Sequence, residues 1–353
     1  MGAAAFLLAE ISGTPYIEVI KIAAIPAILY YASVAVIIRL DAVKNALQGL
    51  PASELPKFGD VFRRLHLLLP IPILIVLLAF DMTPFIAAFY TIIATIIVSW
   101  FRKSTRMGFT KILEALSEGA RGAVSVGSIV GVLGIVMGVC SLTGLPNYLS
   151  QFIIFLSGGY LFALVLLIIV AGLFIGMGLP TTPSYVILVI LGVPALIKMG
   201  VAPLTAHMIA LWVAVQSNVT PPVALAAIAA SAIAKSDPWK TSWEACRLAS
   251  WIYLMPFLFI YTSILNVGWT FDFITTVIAS CFALISWGGA LTGYLLRRTT
   301  LFERAALLVS SLLLLHERLI TDMIGYVLLA LVIVLQKVFS GKSKPVATEM
   351  SGN

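Results

Sequence analysis

Charge is what this chain has least of. Of its 353 residues only 22 are Lys or Arg and 15 are Asp or Glu, so charged side chains make up 10%. A soluble domain carries about a quarter. So few charges cannot cover a water-facing surface of this size, which excludes a soluble enzyme and a disordered protein. Cysteine is also scarce. Cys140, Cys246 and Cys281 lie far apart, with no CxxC or Cys/His cluster, which excludes a disulfide scaffold and a transition-metal site. Basic patches interleaved with aromatics are missing, so the net charge of +7 does not point to nucleic acid. Nor does the sequence hold a Ser/His, paired-Asp or HExxH constellation, so no enzyme is expected.

What is present is apolar. Hydrophobic residues make up 61% and mean hydropathy is +1.09. The expected class is an all-α, polytopic membrane protein in the cell inner membrane. Apolar runs cover 17–38, 66–80, 84–100, 120–141, 161–175, 185–197, 206–216, 223–234, 271–296, 305–315 and 319–335. The runs at 66–80 and 84–100 are separated only by Asp81-Met82-Thr83, a helical hairpin. In 120–141, Gly127, Gly131, Gly134 and Gly138 give one face suited to close packing. Lys and Arg concentrate in 39–65, 101–121, 297–304 and the C-terminal tail. By the positive-inside rule these segments are cytoplasmic, while 81–83, 142–147, 266–270 and 316–322 lie outside.

The informative stretch is 160–234. Between two apolar arms stands Gly176-Met177-Gly178-Leu179-Pro180-Thr181-Thr182-Pro183. An arm of about 15 residues gives roughly 22 Å of helix, short for a bilayer. Two glycines and two prolines end one helix and start another, which predicts a re-entrant hairpin at 160–200. A second break, Ser217-Asn218-Val219-Thr220-Pro221-Pro222, divides a broken helix at 204–234. Non-helical backbone at membrane depth must be buried in protein or line a wet cavity. Carbonyl, hydroxyl and amide oxygens at such breaks suit a hard monovalent cation. The N-terminal ends of half-helices suit an anionic group. The candidate ion-binding residues are Gly176, Gly178, Thr181, Thr182, Ser217, Asn218 and Thr220. The candidate substrate-binding residues are Thr181, Thr182, Pro183, Thr220, Pro221 and Pro222. His207 is expected to face headgroups or a partner that satisfies it, and Asp237 to cap a helix.

Residues 223–253 align with 1–31 after one inserted residue. Each has a small-residue apolar half-helix, then X-Pro-aromatic (Asp237-Pro238-Trp239 against Thr14-Pro15-Tyr16), then a longer helix. The basic residues that follow differ in a way that puts the two copies on opposite sides, the pattern of an inverted-topology repeat.

The run from Gly176 to Thr182, with Ser217-Asn218-Val219-Thr220-Pro221-Pro222-Val223-Ala224, resembles the large membrane subunit of TRAP (tripartite ATP-independent periplasmic) transporters. The resemblance covers about residues 1–265 and is most specific in 170–262. GLPTT and the Asp-Pro-Trp segment are most similar to fused permeases that work with TAXI-type periplasmic binding proteins. The resemblance implies an elevator-type ion-transporter fold and sodium-driven symport of organic acids such as C4-dicarboxylates. It also implies delivery by a periplasmic binding protein, with sodium as coupling ion and no other cofactor. By position, the hairpin tip and the 217–222 break supply one sodium site and half the substrate site. The family's first hairpin and small-subunit helices find no counterpart after Met1, so the chain reads as needing a missing N-terminal permease half or small membrane subunit. The expected organisation is a remnant of the first broken helix (1–16), connecting scaffold helices (17–147), the second transport repeat (148–265) and extra C-terminal helices (266–353). The competing expectation is a non-transporting scaffold or assembly subunit, or a truncated remnant of such a permease.

Overall fold

The computed structural model describes residues 3–340 apart from 48, 50, 52–53, 56–58, 60–61, 63–64, 81, 267 and 269. The chain is 79% helical, and no strand occurs among the described residues. Four helical stretches there are long and apolar enough to cross a membrane: Tyr16–Lys44, Thr181–Lys198, Phe271–Thr292 and Leu319–Val338. The all-α, multi-pass membrane class expected from composition is the one observed. The chain forms two compact units, one of residues 1–23 and 49–235, the other of 24–48 and 236–353.

The first unit opens with α1 (Ala3–Ser12). Gly13 at φ +66° and Thr14-Pro15 turn the chain into α2 (Tyr16–Lys44), and the Tyr16 ring stacks on Phe6 with centroids 4.3 Å apart. α3 (Pro70–Ala79) and α4 (Pro84–Ser99) pack against each other as the expected hairpin. Both start on proline, whose missing N–H costs nothing in a first turn. Asp81 of that turn lies outside the described residues. α5 (Phe109–Thr143) is longer than its apolar run, and its glycine face finds no neighbour. A Cβ at Gly127, Gly131, Gly134 or Gly138 would meet nothing within 4 Å, so the expected close packing is not made within the described chain.

α6 (Leu145–Leu156) leads to α7 (Leu161–Gly176), α8 (Thr181–Leu191), the short α9 (Val193–Lys198), α10 (Pro203–Gln216) and α11 (Leu225–Ala234). The buried centre of this unit is made by four of these six helices, α7 to α10. α7 and α8 are the arms of the expected hairpin, and both pack on α10. α10 is buried on every side from Ala206 to Ala214, as an all-round apolar helix should be. α1 also packs on α8 and α10. Gly192 divides the second arm into α8 and α9 within the single stretch Thr181–Lys198, which contains the run expected at 185–197.

In the second unit α12 (Pro238–Leu248) follows the Asp237 cap, whose Oδ1 accepts from the Lys240 amide at 2.7 Å. α13 (Met255–Tyr261) is flanked by 3-10 turns at Ser250–Tyr253 and Ser263–Leu265. α14 (Phe271–Thr292), α15 (Leu301–Leu313) and α16 (Leu319–Ser340) form a three-helix bundle. Ala290, Leu307, Leu329 and Val332 make its core. The apolar run expected to reach residue 296 stops at Thr292. Gly293 there takes φ +67°, the left-handed conformation that ends helices. α15 starts four residues earlier than its run, at 301 rather than 305, because Thr300 and Glu303 close a capping box.

Candidate functional site

The two breaks expected in 160–234 are real, and their edges move. The first is 177–180 only. Gly176 completes α7, while Thr181, Thr182 and Pro183 form the first turn of α8, where a proline is tolerated. Gly178 takes φ +76°, which a residue with a Cβ rarely adopts. The second break runs from 217 to 224, with a cis Pro221–Pro222 bond and Ala224 at φ +31°. The unwound chain is pinned by Asn218, whose carbonyl accepts from the Ala226 amide at 3.0 Å.

The two breaks meet. Asn218 Nδ2 donates to Thr181 Oγ1 at 3.0 Å, joining the end of α10 to the start of α8. The same amide nitrogen also lies 3.3 Å from the Ala214 carbonyl, and the side-chain oxygen Oδ1 can only accept. A Cβ on Gly176 would stand 2.6 Å from Ser217 Cβ, 2.7 Å from its Oγ and 2.8 Å from Ser184 Oγ. Only a glycine lets these three segments come so close. Ser217 is 4% exposed, and its hydroxyl donates to the Ala214 carbonyl at 2.9 Å. Thr220 donates to the Gln216 carbonyl at 2.6 Å.

Ser184 was not among the residues picked out from sequence. It is fully buried, and its hydroxyl has no hydrogen-bond partner among the described residues. A buried hydroxyl without a partner costs about 1–3 kcal/mol, so its retention at this crossing needs a reason. Its spacing was the available signal: three residues beyond Thr181, it shares that residue's face of α8. Gln216, fully buried at the end of α10, is a second polar side chain that the motif reading passed over. His207 turns out to have a partner. It is 7% exposed, and its Nδ1 lies 2.8 Å from the Tyr185 hydroxyl.

Thr181, Thr182, Ser217, Asn218, Thr220 and Pro221 are half-buried or buried around this crossing, while Gly178 and Pro222 are exposed. No side chain caps the first turn of α8. Its leading N–H groups therefore keep the partial positive charge of a helix N-terminus. The crossing thus offers neutral oxygens, one amide and one open helix end, with no carboxylate or ammonium among them. Among the described residues no group of three His, Cys, Asp or Glu is placed to hold a metal ion.

The family model described as "Tripartite ATP-independent periplasmic transporter, DctM component" matches residues 1–271. The chain belongs to that family. Comparison with curated proteins and with solved structures returned no match. Both breaks of this TRAP transporter permease, and α1, fall inside the matched region, as does everything up to the start of α14. The family is one of transporters and its members sit in membranes, which agrees with the apolar spans. The bundle of α14 to α16 lies beyond the match.

Proposed function

We propose that this TRAP permease imports organic acids by sodium symport across the inner membrane, on delivery by a TAXI-type periplasmic binding protein. The observation that carries this reading is the Asn218–Thr181 hydrogen bond beside the unpartnered Ser184 hydroxyl. It ties together two helix breaks that supply oxygens without formal charge. Such a set suits a monovalent cation better than a divalent one, which seeks carboxylates. Asn218 Oδ1, the hydroxyls of Thr181, Ser184 and Ser217, and backbone at Gly176 and Gly178 are the ligands in this reading. The open first turn of α8, with Thr182 and Pro183, faces the carboxylate of the substrate, helped by Thr220 and the Pro221-Pro222 turn. A sodium ion there would bring the anion's counter-charge to the same place, which links the two binding events.

The test is uptake into proteoliposomes holding the complete permease with its binding protein. Replacing external sodium with choline is expected to abolish uptake. Undiminished uptake in choline would reject the coupling. Thr181→Ala is expected to raise the sodium concentration needed for half-maximal uptake while leaving the amount of folded protein near wild type.

A further inference from the structure

The second unit holds a cleft of about 600 Å³ where the ends of α2, α12 and α14 come together with the turn after α14. We propose that it is a binding site for a phosphate group, presented most readily by an acidic phospholipid of the cytoplasmic leaflet. Nothing in the transport reading uses these residues, and Gly293, Arg298, Thr299 and Arg304 lie beyond the region that defines the family.

The argument starts at Gly293, the left-handed residue that ends α14. An ideal Cβ on Gly293 would be in van der Waals contact with Thr299 Oγ1 at 3.8 Å, Arg304 Nη1 at 3.9 Å and Lys44 Nζ at 3.9 Å. Three donors therefore converge on the wall of the cleft beside Gly293, where the glycine leaves a gap of one methyl. Each has hydrogen-bonding capacity left. Arg304 spends Nε on the Ala290 carbonyl and Nη2 on the Leu291 carbonyl (3.0 Å), which leaves Nη1 directed at the gap. Lys44 gives one bond to the Thr292 carbonyl, and an ammonium has three. Thr299 Oγ1 is buried and has no hydrogen-bond partner among the described residues. The negative end of α14 does not repel an anion here, because Lys44 and Arg304 already cover its last carbonyls.

Two acids, Asp41 and Glu244, face four basic residues in the lining, Lys44, Arg247, Arg298 and Arg304, so the cleft is net positive. Arg247 pairs with Asp41 and, at 2.8 Å, with Glu244. Lys44, Arg298 and Arg304 then set the sign of the cleft, with Arg298 exposed on the rim. An oxyanion with several acceptors satisfies one hydroxyl, one guanidinium and one ammonium together, and phosphate fits that set. Location favours the lipid form. The positive-inside assignment puts this end at the cytoplasmic surface, where basic pockets between helix ends take anionic headgroups. Leu301 and Phe302, the first two residues of α15, are 84% and 90% exposed, ready to meet acyl chains.

Native mass spectrometry of the full chain, released from detergent with added phosphatidylglycerol or phosphatidylcholine, tests the idea. Thermal unfolding with inorganic phosphate runs in parallel. Wild type is expected to retain phosphatidylglycerol over phosphatidylcholine. Thr299→Val should weaken that retention about tenfold, the worth of one hydrogen bond to a charged group. Thr299→Ser should restore it, and Arg298→Gln should weaken it in a fold already known to be intact from its unfolding curve. Stabilisation by inorganic phosphate that Thr299→Val removes, without lipid preference, upholds the site and assigns it to a free anion. Equal retention of both lipids by wild type with no response to phosphate overturns the proposal. So does binding of phosphatidylglycerol and phosphate by folded Thr299→Val and Arg298→Gln as strong as wild type.

Discussion

The two units each bury a polar cluster, and they treat it in opposite ways. In the second unit the Glu303 carboxylate, 7% exposed, accepts from Arg297 Nη2 at 2.6 Å, the Thr300 amide at 2.8 Å and Gln336 Nε2 at 3.2 Å. Gln336 Oε1 in turn accepts from the amides of Leu296 and Arg297. Charge meets charge, and both carboxylate oxygens of Glu303 and both polar atoms of Gln336 are engaged. In the first unit, among the described residues, the crossing of the two breaks has no formal charge and the Ser184 hydroxyl has no partner. A satisfied cluster holds helices together. A cluster with unused oxygens is poised for something that is not part of the chain. Both are buried polar groups, and only the accounting of donors and acceptors separates them.

Removing the carboxylate attacks the satisfied side of the comparison and should have the largest effect on stability. Glu303→Ala strands Arg297 and Gln336 in the bundle, a loss of about 3–5 kcal/mol for a broken buried pair. Thermal unfolding in detergent measures it. A change too small to detect would mean that α15 and α16 are held by apolar packing alone. Gly176→Ala attacks the other side. The added methyl must displace Ser217 and Ser184, and overpacking of this kind costs about 1–3 kcal/mol. Here the loss of uptake should exceed what the loss of folded protein explains, because the displaced groups are those assigned to the ion. If uptake per folded molecule is unchanged, the crossing is structural.

How much of this could be read beforehand follows the same division. The membrane class was legible because composition alone forbids a soluble surface. The breaks were legible because Pro180, Pro221, Pro222 and Gly178 act on their own backbone, and local chemistry is visible in a linear sequence. Their edges were not. Thr181, Thr182 and Pro183 look like loop residues, yet proline suits a first helical turn, and Asn218, 37 residues away, supplies a donor to Thr181 that no spacing announces. Ser184 was missed for a related reason. Among apolar neighbours a lone serine usually returns its hydroxyl to its own helix, as Ser217 and Ser231 do here. That this one does not is a property of the assembled crossing. The glycines of α5 mislead in the other direction, since small residues at helical spacing permit close packing without providing a partner. The Glu303–Gln336 bond spans 33 residues and joins two helices, so it too awaited the fold.

Asn218→Ala removes the side-chain bond between Asn218 and Thr181 that joins the two breaks. The expected cost to stability is about 1 kcal/mol, the net worth of an ordinary hydrogen bond. Sodium dependence should change far more, through loss of Oδ1 from the site. Measuring half-maximal sodium for uptake, beside unfolding, separates the two. A variant with unaltered sodium response would leave Asn218 as a tie between helices and move the ion elsewhere.

Ser184→Ala sharpens the comparison most, though its effect on stability is the smallest. Deleting a hydroxyl that bonds to nothing relieves a burial cost, so the variant should unfold at the same temperature as wild type or slightly higher, by up to about 1 kcal/mol. If Ser184 is retained for an ion, the same change must weaken sodium binding, seen as a higher sodium requirement for uptake at unchanged maximal rate. Stability and function would then move in opposite directions at one atom, which no purely structural role produces. A Ser184→Ala protein that is less stable and equally responsive to sodium would show the reverse. Its hydroxyl would then be serving the packing of α7 against α10, and the free oxygens of the first unit would lose their meaning.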